Sequence, residues 1–249
     1  MYFQKTFIAF CLAIFLFTAC DKETNSVADA SSAPGTGGSL ARFTISGNYL
    51  YLADYSSLKV FDISNPNSPV EKPPIPMGFV LETIFPYKDK LFIGSTQGMF
   101  IYSLANPAAP VKLGSVIHLR SCDPVIANDS VSYSTLQGGS PCGPAESGLY
   151  IYDIKNITTP VLKKLLPLST PYGLGLKDSV VFVCRGSTGL TAIKVKDPAN
   201  PIILYTKNDG TYIDVIPYDN MLICYVQTGI IIYDASDAGS IVKVGTVNY

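Results

Sequence analysis

Residues 147–160 read "SGLYIYDIKNITTP", and residues 188–201 read "TGLTAIKVKDPANP". Each stretch holds a glycine, an apolar run, and then a turn-forming segment that ends in proline. Working outward, the same pattern occurs five times, as "SLKVFDISNPNSPV" (57–70), "GMFIYSLANPAAPV" (98–111), "GLYIYDIKNITTPV" (148–161), "GLTAIKVKDPANPI" (189–202) and "GIIIYDASDAGSIV" (229–242). The copies begin 41, 50, 41 and 40 residues apart. A period near 40 belongs to repeat architectures, among them propellers with four strands per blade.

Each unit divides into four strands. In the second unit these are "ETIFPY" (82–87), "KLFIGS" (90–95), "MFIYSL" (99–104) and "PVKLGSV" (110–116). Proline and the Asn or Asp before it are turn chemistry, because Pro fixes φ and the Asx side chain caps its own turn. The glycine ahead of the third strand suits a hairpin position with φ > 0. Runs such as "LYIYDI" and "GIIIYDA" are too continuously apolar for a sheet with one wet face. They suit sheets covered on both faces. One such sheet cannot cover itself, whereas five in a ring cover one another. The predicted fold is therefore all-β, a β-propeller of about five four-stranded blades, at about 40–78, 79–118, 119–168, 169–207 and 208–249. First and last units are phased alike, with no strand exchanged between the termini. Closure is expected to rest on side-chain packing between the first and last blades.

The N-terminus reads differently. "MYFQK" is followed by "TFIAFCLAIFLFTA", an apolar run too short for the roughly 20 residues of a bilayer crossing. It reads as a secretory signal. Thr18 and Ala19 directly before Cys20 resemble a lipobox, so 1–20 is expected to be a lipoprotein signal peptide with Cys20 acylated. Plain secretion or a retained anchor are the alternatives. Residues 21–39 lack aromatics and are rich in Ser, Ala and Gly, the composition of a flexible tether. The expected partner on this side is the membrane, reached through lipidated Cys20, and the expected location is the cell envelope at the outer membrane. A net charge of −1 lacks the basic excess a nucleic-acid binder needs, so no nucleic-acid partner is expected.

The copies "LKVFD", "LYIYD" and "IIIYD" resemble the LVIVD repeat, a β-propeller repeat of bacterial and archaeal surface proteins. "ETIFPY", "RSCDP", "YGLGL" and "YIDVIP" also resemble the C-terminal part of longer lipoproteins of Bacteroidetes type, which carry additional N-terminal repeats. Where those show "PHGLG", this chain has Pro171, Tyr172, Gly173, Leu174 and Gly175. The resemblance implies a propeller and no particular activity.

Six cysteines bear on an exported protein. Cys122 precedes the first strand of the third unit, and Cys142 lies in that unit's extra loop, "QGGSPCGPAE" (137–146). Both loops belong on one propeller face, so a Cys122–Cys142 disulfide is expected, closing about 20 residues and stabilising by about 3 kcal/mol. Cys184 and Cys224 sit in second strands of adjacent units, one position out of register. Alternation along a strand predicts that they point to different faces as buried free thiols. Asp62, Asp153 and Asp234 recur at one motif position, which suggests a hydrogen bond to a turn rather than a metal.

Polar residues near the first strands surround the expected central channel: Arg42, Glu82, Arg120, Asp123, Tyr172 and Asp214. They form either a ligand-binding channel mouth or a ring of salt bridges that closes it. There is a single histidine, His118, and no H-E-x-x-H, P-loop or EF-hand pattern, so no metal, cofactor or catalytic set is expected. The favoured function is a non-catalytic binding module for a protein or glycan. The alternative is a propeller glycoside hydrolase or lyase acting on polysaccharide through Glu82, Asp123 and Asp214, because glycosidases need two carboxylates about 5–10 Å apart.

Overall fold

The computed structural model describes residues 38–117, 124–138 and 146–249, all within one compact unit. The signal segment, Cys20, Arg120, Cys122, Asp123 and Cys142 lie outside the described residues. The described chain is all-β and forms a five-blade β-propeller. Blade 1 comprises β1 (Phe43–Ser46), β2 (Tyr49–Asp54), β3 (Ser57–Asp62), β4 (Val70–Glu71) and β5 (Ile75–Pro76). Blade 2 comprises β6 (Leu81–Tyr87), β7 (Lys90–Ser95), β8 (Gly98–Ser103) and β9 (Val111–Ile117). Blade 3 comprises β10 (Val125–Ala127), β11 (Val131–Leu136), β12 (Gly148–Asp153) and β13 (Val161–Pro167). Blade 4 comprises β14 (Leu174–Lys177), β15 (Val180–Cys184), β16 (Leu190–Lys194) and β17 (Ile202–Lys207). Blade 5 comprises β18 (Tyr212–Tyr218), β19 (Met221–Val226), β20 (Gly229–Asp234) and β21 (Val242–Asn248). Every blade is an antiparallel meander. The fourth strand of blade 1 is broken into β4 and β5 by Pro73 and Pro74, which have no N–H for the ladder.

The repeated turn is built the same way in all five blades. Asn65, Asn106, Asn156, Asp197 and Asp237 each accept through Oδ1 from the backbone N–H two residues on, at 2.8–3.3 Å. The recurring aspartates serve the same turn. Asp62 accepts from Ser64 N at 3.1 Å, Asp153 from Lys155 N at 3.0 Å and Asp234 from Ser236 N at 2.8 Å. This is the Asx geometry that the Asn/Asp-Pro segments imply.

Each blade has a leading face toward the preceding blade and a trailing face toward the next. Four apolar clusters lie between them. Tyr51, Leu58 and Val60 of blade 1 meet Leu91 and Ile93 of blade 2. Phe92, Met99 and Ile101 meet Val125, Ala127 and Tyr152. Val131, Tyr133 and Ile151 meet Val181, Val183 and Ile193. Phe182, Leu190 and Ala192 meet Leu222, Ile231 and Tyr233.

Cys184 and Cys224 point to opposite faces of their own blades, as alternation implies, and because those two faces meet, both belong to the cluster between blades 4 and 5. Facing surfaces of adjacent blades use opposite parity of the second strand, so an offset of one position turns two side chains toward each other. Both are free, and burial pushes both thiols up.

The fifth junction differs from the other four. No buried apolar cluster among the described residues joins blade 5 to blade 1. The turn residues Gly47, Lys88, Asp178 and Asp219 share φ of 49–56° and align the second strands. On the trailing face Val180, Phe182 and Cys184 are at most 5% exposed, but their counterparts in blade 5 are open: Met221 is 37% and Tyr225 46% exposed, and Ile223 is half-buried. On the leading face Leu91, Ile93, Val181 and Val183 are fully buried. Their counterparts Leu50 and Leu52 in blade 1 are half-buried, beside Phe43 at 60% and Ile45 at 39%. Closure by packing between first and last blades is therefore not what joins the ends.

Candidate ligand-binding site

What spans the junction is the chain leading into β1. Gly38 and Ser39, assigned by composition to the tether, are buried parts of the fold. Ser39 Oγ donates to Asp214 Oδ1 at 3.1 Å and accepts from Leu174 N at 2.7 Å. Leu40 N donates to Asp214 Oδ2 at 3.3 Å, and Ile84 N donates to Ala41 O at 2.8 Å. Three consecutive residues thus bond to the inner strands of blades 5, 4 and 2. Backbone this close to a carboxylate explains why Gly173 and Gly38 border Asp214: a Cβ on either would lie 2.1 Å from a carboxylate oxygen.

Beside this segment lies the central cavity, of about 320 Å³. Phe85, Ile126, Leu174, Leu176, Val215 and Pro217 form its walls, one or two residues from each inner strand of blades 2 to 5. Tyr87, Asn128 and Asp178 supply the polar groups, and Ser39 closes its inner side. The lining comes mostly from the second halves of the inner strands. Of the described residues singled out from sequence, Glu82, Tyr172 and Asp214 lie in or just before the first halves of those strands. The signal that would have found the cavity was present in the alternation of "IFPY", "GLGL" and "VIPY", in which Phe85 and Tyr87, Leu174 and Leu176, and Val215 and Pro217 line it.

The structure places the four described members of the predicted mouth separately. Arg42 Nη2 donates to Ala53 O and Leu81 O, both at 3.4 Å, and so ties blade 1 to blade 2 through carbonyls rather than carboxylates. Asp214 accepts from Ser39, Leu40 and from Val215 N at 2.9 Å. Burial raises its carboxyl above the ordinary range, and these three donors offset part of that rise. Arg42 and Asp214 flank residues 38–41 without pairing with each other. Tyr172 is exposed, and its carbonyl accepts from Thr135 Oγ1 of blade 3. Glu82 is partly buried on β6. Arg120 and Asp123 are outside the described residues.

A second hollow, of about 360 Å³, lies in the groove between blades 3 and 4. Asp153, Lys155, Lys163, Lys196 and Asp197 line it, with Lys163 Nζ 3.5 Å from Asp153. Similar grooves lie between blades 2 and 3 and between blades 4 and 5. Their recurrence makes them features of blade geometry. No group of three metal-ligating side chains occurs among the described residues.

Comparison with known proteins agrees with the fold. The family model for the LVIVD repeat matches residues 37–74, which is blade 1. No curated protein matches the sequence. Among solved structures, the chain is similar to the periplasmic gluconolactonase PpgL of Pseudomonas aeruginosa, at 13% identity and TM-score 0.63, covering 81% of this chain and 68% of that one. It is similar to the computationally designed Ika8 protein at 14% identity and TM-score 0.57, covering 82% and 60%. It is also similar to AztD of Citrobacter koseri at 13% identity and TM-score 0.58, covering 82% and 61%. Likeness at these identities is likeness of fold. The chain spans about three fifths to two thirds of those longer structures.

Proposed function

We propose that this protein is an envelope propeller, held to the outer membrane through acylated Cys20, that binds a glycan or protein segment at its central cavity without transforming it. One observation carries the reading: apolar walls from four inner strands converge on a cavity with only a few polar groups at its margin. That is the usual make-up of a binding site. Phe85 and Tyr87 offer aromatic surface for the apolar face of a sugar ring or for an apolar side chain. The nearest buried acid, Asp214, is committed to holding residues 38–40 and turns its oxygens to them. This argues against its use as a hydrolytic acid.

Calorimetric titration of the protein with a panel of oligosaccharides, run beside a Leu176→Asp variant, tests the proposal. Leu176 is only half-buried, so the change alters the cavity wall more than the core. Binding that is lost in the variant, with the sugar recovered unchanged, is the expected result. Appearance of new reducing or unsaturated ends would establish the hydrolase or lyase reading instead. The anchor is tested separately: Cys20→Ala is expected to move the protein from the membrane fraction to the soluble one.

A further inference from the structure

The unsealed junction between blades 5 and 1 has two walls, and they are unlike each other. The trailing wall carries Met221, Ile223 and Tyr225 on β19, with Ile230 and Ile232 beside them on β20. The leading wall carries Phe43 and Ile45 on β1, paired across to Leu52 and Leu50 on β2. At the four internal junctions a wall of the first kind is always covered by a wall of the second. The repeat therefore specifies what fits each bare wall: a trailing face wants a leading face of the same repeat. Both halves are present on every copy of this chain, and within one copy they do not meet.

We propose that the two walls are used between molecules, the leading face of blade 1 in one copy docking on the trailing face of blade 5 in another. The occupant is thus a second copy, and the contact continues the series of internal junctions. Contiguous apolar surface of this kind marks an interaction site rather than an ordinary solvent face. The contact is heterologous. It closes if both junctions of a pair form together, and otherwise repeats from copy to copy. Residues 38–41 seal only the inner end of the junction and leave the outer walls for the partner.

Internal geometry selects the reporter positions. Cys184 on the trailing face and Cys224 on the leading face share one cluster across the junction of blades 4 and 5. Counting from the aligned turn residues, their counterparts at the open junction are Tyr225 and Leu52. Full-length chains carrying two different tags are co-expressed, one with Leu52→Cys and the other with Tyr225→Cys, and treated with a short bismaleimide. A species carrying both tags, as a dimer or a ladder, above the background of chains without the new cysteines, is expected. Adding Ile45→Glu, an exposed position, is expected to lower that species about tenfold, because an unpaired charge is disfavoured in an apolar contact, while leaving the melting temperature unchanged. Absence of the mixed species would overturn the proposal. So would linking only between two Tyr225→Cys copies, which would show trailing faces meeting each other.

Discussion

The glycine that opens the third strand gives the sharpest test of how the repeat is built. Gly98 has φ of 144° and sits where β8 meets β9, opposite Ile117. A Cβ built there would stand 2.0 Å from Val116 O, 3.0 Å from Val116 C and 3.1 Å from Ile117 Cα. All three are backbone atoms, so no side chain can swing aside. Gly98→Ala forces β9 away from β8. Overpacking of this kind costs about 1–3 kcal/mol. Holding an L-residue at this φ adds at least about 1 kcal/mol, so about 3 kcal/mol is expected. At about 2–4 °C per kcal/mol for a domain of this size, the melting temperature falls by about 6–12 °C. Gly47→Ala is the control. Gly47 also has positive φ, at 56°, but an added Cβ there meets nothing within 4 Å. Only the backbone term of about 1 kcal/mol remains. Thermal unfolding followed by near-ultraviolet circular dichroism of the tyrosines reads both. If Gly98→Ala melts at or above Gly47→Ala, the glycine is not there to admit the fourth strand and the reasoning fails.

Other consequences are equally direct. Tyr51 is buried and donates to Pro107 O at 2.8 Å, fastening blade 1 to the turn of blade 2; Tyr51→Phe is expected to cost about 1 kcal/mol, or about 2–4 °C, with no change in secondary structure. Cys184 and Cys224 are buried with thiols pushed up, so peptide mapping after maleimide treatment is expected to find neither modified in native protein and both modified after denaturation. Asp214, raised by burial, holds its proton more tightly folded than unfolded. Its contribution is full below the ordinary aspartate value of about 4 and is lost as pH rises through the folded value. Asp214→Asn cannot ionise, so the urea midpoint of the wild type is expected to fall relative to the variant as pH is raised from 4, and an opposite slope would contradict the assignment. Asp214→Ala removes the acceptors of residues 39 and 40 and is expected to speed tryptic cleavage after the exposed Arg42.

Blade number, strand order and turn construction were legible because each rests on local chemistry repeated five times. The Asx turns at 65, 106, 156, 197 and 237 need only an acceptor side chain two residues before an N–H. The site was less legible, for two reasons. Charged residues near the inner strands drew attention to one end of the channel, whereas the cavity is walled by apolar residues that look like any core. Asp214 is occupied by Ser39 and Leu40, at the end of a stretch, 21–39, whose composition reads as tether, and Arg42 is occupied by the carbonyls of Ala53 and Leu81. For the cysteine pair, alternation along a strand gave the right faces, and what it left out is that the trailing face of one blade meets the leading face of the next, so Cys184 and Cys224 share a cluster.

Periodicity also has a blind spot at the ends of the series. A repeat describes each unit together with its neighbours, and every internal unit of this chain satisfies that description on both faces. Whether the last unit reaches the first depends on the angle between successive blades summed round the ring. That angle is set by side-chain volumes at all the junctions and is written in no single motif. Here five copies carry identical instructions for two-sided burial, yet Tyr225 and Phe43 stay exposed while their internal counterparts are covered. The apolar residues at those two walls obey the rule of the repeat rather than the needs of an isolated monomer. A chain that keeps isoleucine, leucine, phenylalanine and tyrosine on both end faces is therefore one whose end faces are to be covered, and the surface that fits each is the one its own repeat provides.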